Sequence, residues 1–254
     1  LYIPPVQNLL RREVTAYASK ATGMQIQVER IDLRFPLNLL VRGVEVIQQP
    51  DTLLSLESLN VRVQAWPLLK GKVEVDEVTL SQVAVNSANL IEGMQIKGVL
   101  GRFFLQSHGV DLSNETAVVN RTELSDTHIQ LLMTDTTTTP KDTTASAPVN
   151  WKVNLHQLKL KNVSFGMKLP ADSMKMAAYI GEATIDDAKA DLKNQFYGLK
   201  QFLLSGASAS YDTGEVQPSE GFDASHMAVR NIRIGLDSLL YEGRNMNAVI
   251  REIT

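Results

Sequence analysis

The chain has 254 residues, 44% of them apolar and 21% charged, with a net charge of −3. These are globular proportions that exclude wholesale disorder, and the charge is too slight for the basic face of a nucleic-acid binder. Cysteine is absent, which removes disulfide scaffolds, zinc–thiolate sites, iron–sulfur clusters and thiol catalysis together.

The chain opens inside an apolar phrase, Leu1-Tyr2-Ile3-Pro4-Pro5, without an initiator methionine, and is expected to follow a removed segment such as a membrane anchor. Residues 1–23 then predict one amphipathic helix. Pro4 and Pro5 suit a helix start. Val6, Leu9, Leu10, Val14, Tyr17, Ala18 and Ala21 recur at three- and four-residue spacing, and Gly23 can end the helix in the left-handed conformation. No apolar run approaches the ~18 residues needed to span a bilayer.

From Met24 the pattern becomes alternating, with a peculiarity. Apolar residues recur at offsets 0, 2, 5 and 7: Ile26, Val28, Ile31, Leu33, then Leu39, Val41, Val44, Val46, then Leu54, Leu56, Leu59, Val61. Further copies are Val73, Val75, Val78, Leu80; Val153, Leu155, Leu158, Leu160; Ala178, Ile180, Ala183, Ile185; and Met227, Val229, Ile232, Ile234. Alternation means a strand with one apolar face. The gap of three fits either a β-bulge that restores the face or a tight turn between very short strands, and the residues alone leave both open. Copies spread along the chain are an internal repeat. Long antiparallel strands with one apolar face must close into a barrel, stack as a sandwich or curl so that the face lines a groove.

The expected organisation is helix 1–23, a first β-stretch 24–133, a threonine-rich loop 134–148 and a second β-stretch 149–254. The loop holds Thr134, Thr136 to Thr139, Thr143 and Thr144, a composition that cannot build a core. A smaller loop is expected around Asp212 to Gly221.

Catalytic patterns are missing. His108, His128, His156 and His226 are scattered without metal-ligand spacing and read as isolated surface or rim side chains. Leu69-Lys70-Gly71-Lys72 lacks the glycines of a phosphate loop and reads as a turn. Asp186, Asp187 and Asp191 lack a calcium ladder and read as a solvated strand end. Neither a metal nor a cofactor is expected, nor an enzyme.

Two phrases carry a resemblance. Ile3-Pro4-Pro5-Val6-Gln7-Asn8-Leu9-Leu10 followed by Ala21-Thr22-Gly23-Met24-Gln25-Ile26-Gln27-Val28, and Trp66-Pro67-Leu68-Leu69-Lys70-Gly71-Lys72-Val73-Glu74-Val75-Asp76-Glu77-Val78-Thr79-Leu80, resemble the N-terminal region of AsmA/TamB-type proteins. The threonine-rich insert resembles a Bacteroides-type member, in which Asp-Thr-Thr at 135–137 and 142–144 is similar to O-glycosylation sites. The resemblance implies a periplasmic protein held in the inner membrane by an N-terminal anchor. Its long strands would curl into a taco-shaped groove that conducts phospholipid toward the outer membrane, or supports outer-membrane assembly together with an assembly protein there. It adds no nucleic-acid partner. Acyl chains would then lie against Ile26, Val28, Leu54, Leu56, Val61, Val73, Val75, Val78, Leu80, Val153, Leu155, Leu158, Leu160, Val229 and Ile232. The competing reading is a non-catalytic β-sandwich in which the same residues form a closed core and free edges recruit partners by strand addition. Carbohydrate binding would want exposed aromatics, for which Trp66 and Trp151 are the only tryptophans.

Overall fold

The computed structural model describes residues 12, 15, 16, 19, 20, 22–34, 37–64, 66, 74–87, 90–91, 93–111, 114–133, 150–170, 173–214, 217 and 220–254. The expected helix over 1–23 and the threonine-rich loop lie largely or wholly outside these residues. No helix is described as a complete element. The described positions Arg12, Thr15, Ala16, Ser19, Lys20 and Thr22 have helical backbone. Gly23, at φ +71°, donates its N–H to the Ser19 carbonyl at 2.9 Å, and the Ile26 N–H donates to the Ser19 hydroxyl at 3.0 Å.

The rest is strand: β1 (Gln25–Arg34), β2 (Asn38–Gln48), β3 (Asp51–Val63), β4 (Val75–Asn86), β5 (Met94–Asp111), β6 (Thr116–Met133), β7 (Lys152–Leu169), β8 (Met174–Asp191), β9 (Phe196–Leu199), β10 (Gln201–Asp212), β11 (His226–Glu242) and β12 (Asn245–Ile253). All twelve form one sheet, ordered β1-β2-β3-β4-β5-β6-β7-β8-β10-β11-β12. β9 continues the line of β10 beyond Lys200, since it too lies between β8 and β11. Turn residues follow their backbone demands. Gly243, between β11 and β12, sits at φ +59°, where glycine carries no steric penalty.

One expectation is corrected. The strands are not all antiparallel, because β6 and β7 pair in parallel, from Thr116↔Lys152 to Leu132↔Lys168. Alternation looks the same in either direction, so the residues did not reveal it. Parallel neighbours need a crossover of a dozen or more residues, and the segment from 134 to 151 supplies that length. This pair also joins the stretches 24–133 and 149–254 into a single sheet.

The three-residue gaps are not turns between short strands. Each strand runs straight through its gap, and neighbouring strands skip one residue at the same row. Between β1 and β2 the pairs Val28↔Val44 and Arg30↔Arg42 leave out Glu29 and Gly43. The next junctions leave out Glu57, Gln82, Gly101, Asp126, Asn162 and Gly181 in turn, and at β10 the line passes through Gly206. Gly43, Gln82, Asp126, Asn162 and Gly206 all have φ between +50° and +61°, a region where Gly, Asn and Asp cost least among residue types. The skipped residues stand opposite one another and leave the register on either side unshifted. Aligned in successive strands, these interruptions form a line across the sheet, the crease.

Space along the crease is tight. A Cβ on Gly101 would lie 2.7 Å from the Asp126 Cβ and 2.9 Å from its carbonyl oxygen, and one on Gly181 would lie 3.0 Å from the Gly206 carbonyl oxygen. At the parallel junction both partners carry side chains, and Asn162 Nδ2 donates to Asp126 Oδ1 at 2.8 Å. A second, shorter crease passes through His156, Asp187 and Lys200, again between pairs that skip one residue.

The crease yields a stability prediction. Gly101→Ala and Gly181→Ala should each destabilise the fold by about 1–3 kcal/mol through overpacking. Gly166→Ala, whose new Cβ would meet nothing nearer than Gln130 Cγ at 3.9 Å, should be tolerated. Urea denaturation of the three variants checks this.

Candidate functional site

Because β1 to β8 each skip a residue at the same row, the apolar repeat stays in register across them. On one side of the crease Val28, Val44, Leu56, Val83 and Leu100 follow one another across β1 to β5. On the other side a rung runs Ile31, Val41, Leu59, Leu80, Phe103, Leu124, Leu160, Ala183, Leu204, Ile234 and Ile253, from edge to edge. A parallel rung runs Leu33, Leu39, Val61, Val78, Leu105, Thr122, Leu158, Ile185, Phe202, Leu236 and Ile250.

The expected lining residues take their places on this ladder. Ile26, Val28, Leu54, Leu56, Val61, Val78 and Leu80 stand on rungs of β1, β3 and β4, and Val75 faces Val63. Leu155, Leu158 and Leu160 of β7 face Val119, Thr122 and Leu124 of β6, and Val153 faces Ala117. Val229 and Ile232 of β11 face Ala209 and Ala207 of β10. Val73 lies outside the described residues. The face is covered unevenly. Ile31 and Leu56 are 3% and 9% exposed near the β1 edge, whereas Val229, Ile250 and Ile253 are 57%, 56% and 63% exposed toward β12.

A second feature is a concavity of about 960 Å³ at the ends of β5 to β11. On β5 and β6 its lining is almost wholly polar-face positions, Gln95, Lys97, His128, Gln130 and Leu132, whereas on β7 to β11 it takes in both faces, with Ser164, Lys168, Lys175, Tyr179, Ser210 and Arg230 beside Phe165, Met176, Ala178, Ala209 and Met227. Of the expected lining residues, Val229 alone borders this concavity. The sequence reading missed it because its charged positions alternate with the apolar repeat that drew attention. Lys168 and Lys175, which flank the turn from β7 to β8, were the available signal.

The scattered polar residues also find places. His128 Nδ1 lies 2.6 Å from Ser164 Oγ, whose hydroxyl points to the Thr127 carbonyl at 3.5 Å. His226 Nδ1 lies 2.9 Å from Asp223 Oδ2, and its Nε2 lies 3.5 Å from Asp212 Oδ1. Asp186 and Asp187 do not end a strand, as the sequence suggested. They sit inside β8 at the second crease, where Asp187 adopts φ +49°, and Asp191 ends the strand. The Asp187 carboxylate accepts from Lys200 Nζ at 2.7 Å and lies 3.1 Å from His156 Nδ1. Among the described residues no group of His, Asp and Glu could hold a metal ion. No helix there is long and apolar enough to cross a membrane. Trp66 is exposed, and Trp151 is half-buried.

No known family model matches the chain, and no curated protein matches it.

The Asp187 cluster yields a pH prediction. The Lys200 hydrogen bond, reinforced by His156, holds the Asp187 carboxyl below its ordinary value. A depressed folded-state value stabilises above the ordinary aspartate range and loses that contribution as pH falls through the depressed value. Carboxyl NMR titration should therefore show Asp187 titrating below a reference aspartate, and Lys200→Met should move its midpoint upward.

Proposed function

We propose that this protein is an AsmA/TamB-like, inner-membrane-anchored conduit of the periplasm, passing phospholipid toward the outer membrane or supporting assembly there. Its acyl-binding surface in this reading is the apolar ladder. The carrying observation is that the twelve described strands form one sheet whose continuous apolar rungs reach Val229, Ile250 and Ile253, each more than half exposed.

In this reading the creased sheet curls into a groove. Acyl methylenes gain about 0.8 kcal/mol each on leaving water. The gain is spread along continuous rungs without a directional site, so a chain can slide between equivalent positions. The β7–β12 end, where the rungs are most exposed, is the more accessible stretch for a lipid chain.

Two measurements test this. Purified protein should carry phospholipid detectable by native mass spectrometry and solvent extraction. Val229→Asp and Leu155→Asp should cut binding of a fluorescent fatty acid by tenfold or more. A tenfold loss corresponds to about 1.4 kcal/mol, while the urea midpoint of Val229→Asp should stay near wild type. Variants that keep full lipid occupancy would remove the groove assignment, and unfolding of the exposed-site Val229→Asp would favour a closed core.

A further inference from the structure

We propose that the concavity at the ends of β5 to β11 is a binding site for a soluble ligand carrying two or more phosphoryl groups. Its charge is the first reason. In a protein of net charge −3, four cations, Lys97, Lys168, Lys175 and Arg230, line one concavity with a single carboxylate, Asp212. Some basic side chains elsewhere in the sheet meet carboxylates, among them Arg62 with Glu77, Lys200 with Asp187 and Arg251 with Asp237, while others such as Arg42, Lys159 and Lys161 stand apart from one another on the strands. Among the described residues, the four lining cations have no carboxylate within ion-pair distance. Asp212, opposite Lys175, is engaged elsewhere: it accepts from the Gly214 N–H at 2.8 Å and faces His226.

Placement is the second reason. Lys168 and Lys175 are direct cross-strand partners, and like charges so placed repel. A phosphoryl group carries about −1.5 to −2 at neutral pH, which matches two adjacent ammonium groups, and lysine binds phosphate as a point charge. Lys97 on β5 lies two strands across and two residues along from that pair, ~12 Å, and Arg230 on β11 lies two strands across and four residues along, ~16 Å. A ligand with phosphoryl groups separated by an uncharged spacer therefore meets the lysine pair with one end and Lys97 or Arg230 with the other. Between them the floor is shallow, built of Gly166, Ala177, Ser210 and Ala228 in one row across the strands. Tyr179 stands beside it as a platform for a sugar ring or similar spacer. Val229 apart, this site shares no residue with the expected acyl lining, and it does not depend on the lipid reading.

The test uses the full chain at low ionic strength and pH 7, with fructose 1,6-bisphosphate and tripolyphosphate as probes. Saturable binding that shifts the amide resonances of Gly166, Ala177 and Ser210, and weakens at least tenfold in Lys168→Met/Lys175→Met, supports the site. That double variant removes a like-charge pair, so its thermal midpoint should hold or rise, which separates lost binding from lost fold. Arg251→Met, which removes a paired cation at the β12 edge, should bind as wild type. Absence of shifts on the floor, equal weakening by Arg251→Met, or binding to phosphatidylglycerol vesicles without binding to either soluble probe would each overturn the proposal.

Discussion

A sheet can keep one apolar face across many strands only if every strand changes phase at the same place. A single extra residue in one strand moves all following side chains to the other face. Here each strand from β1 to β8 carries its extra residue in the same row, so the phase changes cancel between neighbours and the pairing register survives. The ladder of apolar rungs and its separation from the polar face depend on that alignment. The constraint is local in cause. It asks for a left-handed residue, or a neighbour small enough to pass it, at one position per strand, and the crease meets it with Gly43, Gln82, Gly101, Asp126, Asn162, Gly181 and Gly206.

The sheet is held mainly within its own layer. Cross-strand pairs such as Leu59–Leu80 and Leu124–Leu160 bring apolar side chains together while the ladder satisfies the backbone. Few apolar side chains are fully enclosed, and those toward β7–β12 are the alanines Ala183 and Ala207. Crease side chains add polar ties, Asn162 to Asp126 in one line and Lys200 to Asp187 in the other. A single layer of this kind presents two usable surfaces, one greasy and one charged, from the same alternating sequence.

The β-rich class and the apolar face were legible because alternation is a period that survives any neighbour. The 0, 2, 5, 7 spacing held the place of the crease, but Gly43, Asp126 and Asn162 suit a turn as well as a left-handed position within a strand, so the residues left the two open. Strand direction was not legible, since Thr122 opposite Leu158 reads the same in either sense. The concavity was hidden for a different reason. Lys97, Lys175 and Arg230 are far apart in the chain and become neighbours only when β5, β8 and β11 are placed in order. The acidic cluster misled for a related reason: Asp186-Asp187 looks like a strand end but marks the second crease.

The parallel β6–β7 pair divides the molecule in time as well as in space. Every other junction within β1–β6 or β7–β12 joins strands close in sequence and can zip from its own turn. Across β6–β7 each residue instead meets a partner 36 positions away, with no hairpin to bring the ends together. Loop closure must precede any reward from that pairing. Each half can thus form as a local meander, and the seam between them closes last, fixing the continuous rungs only when both halves are already in register.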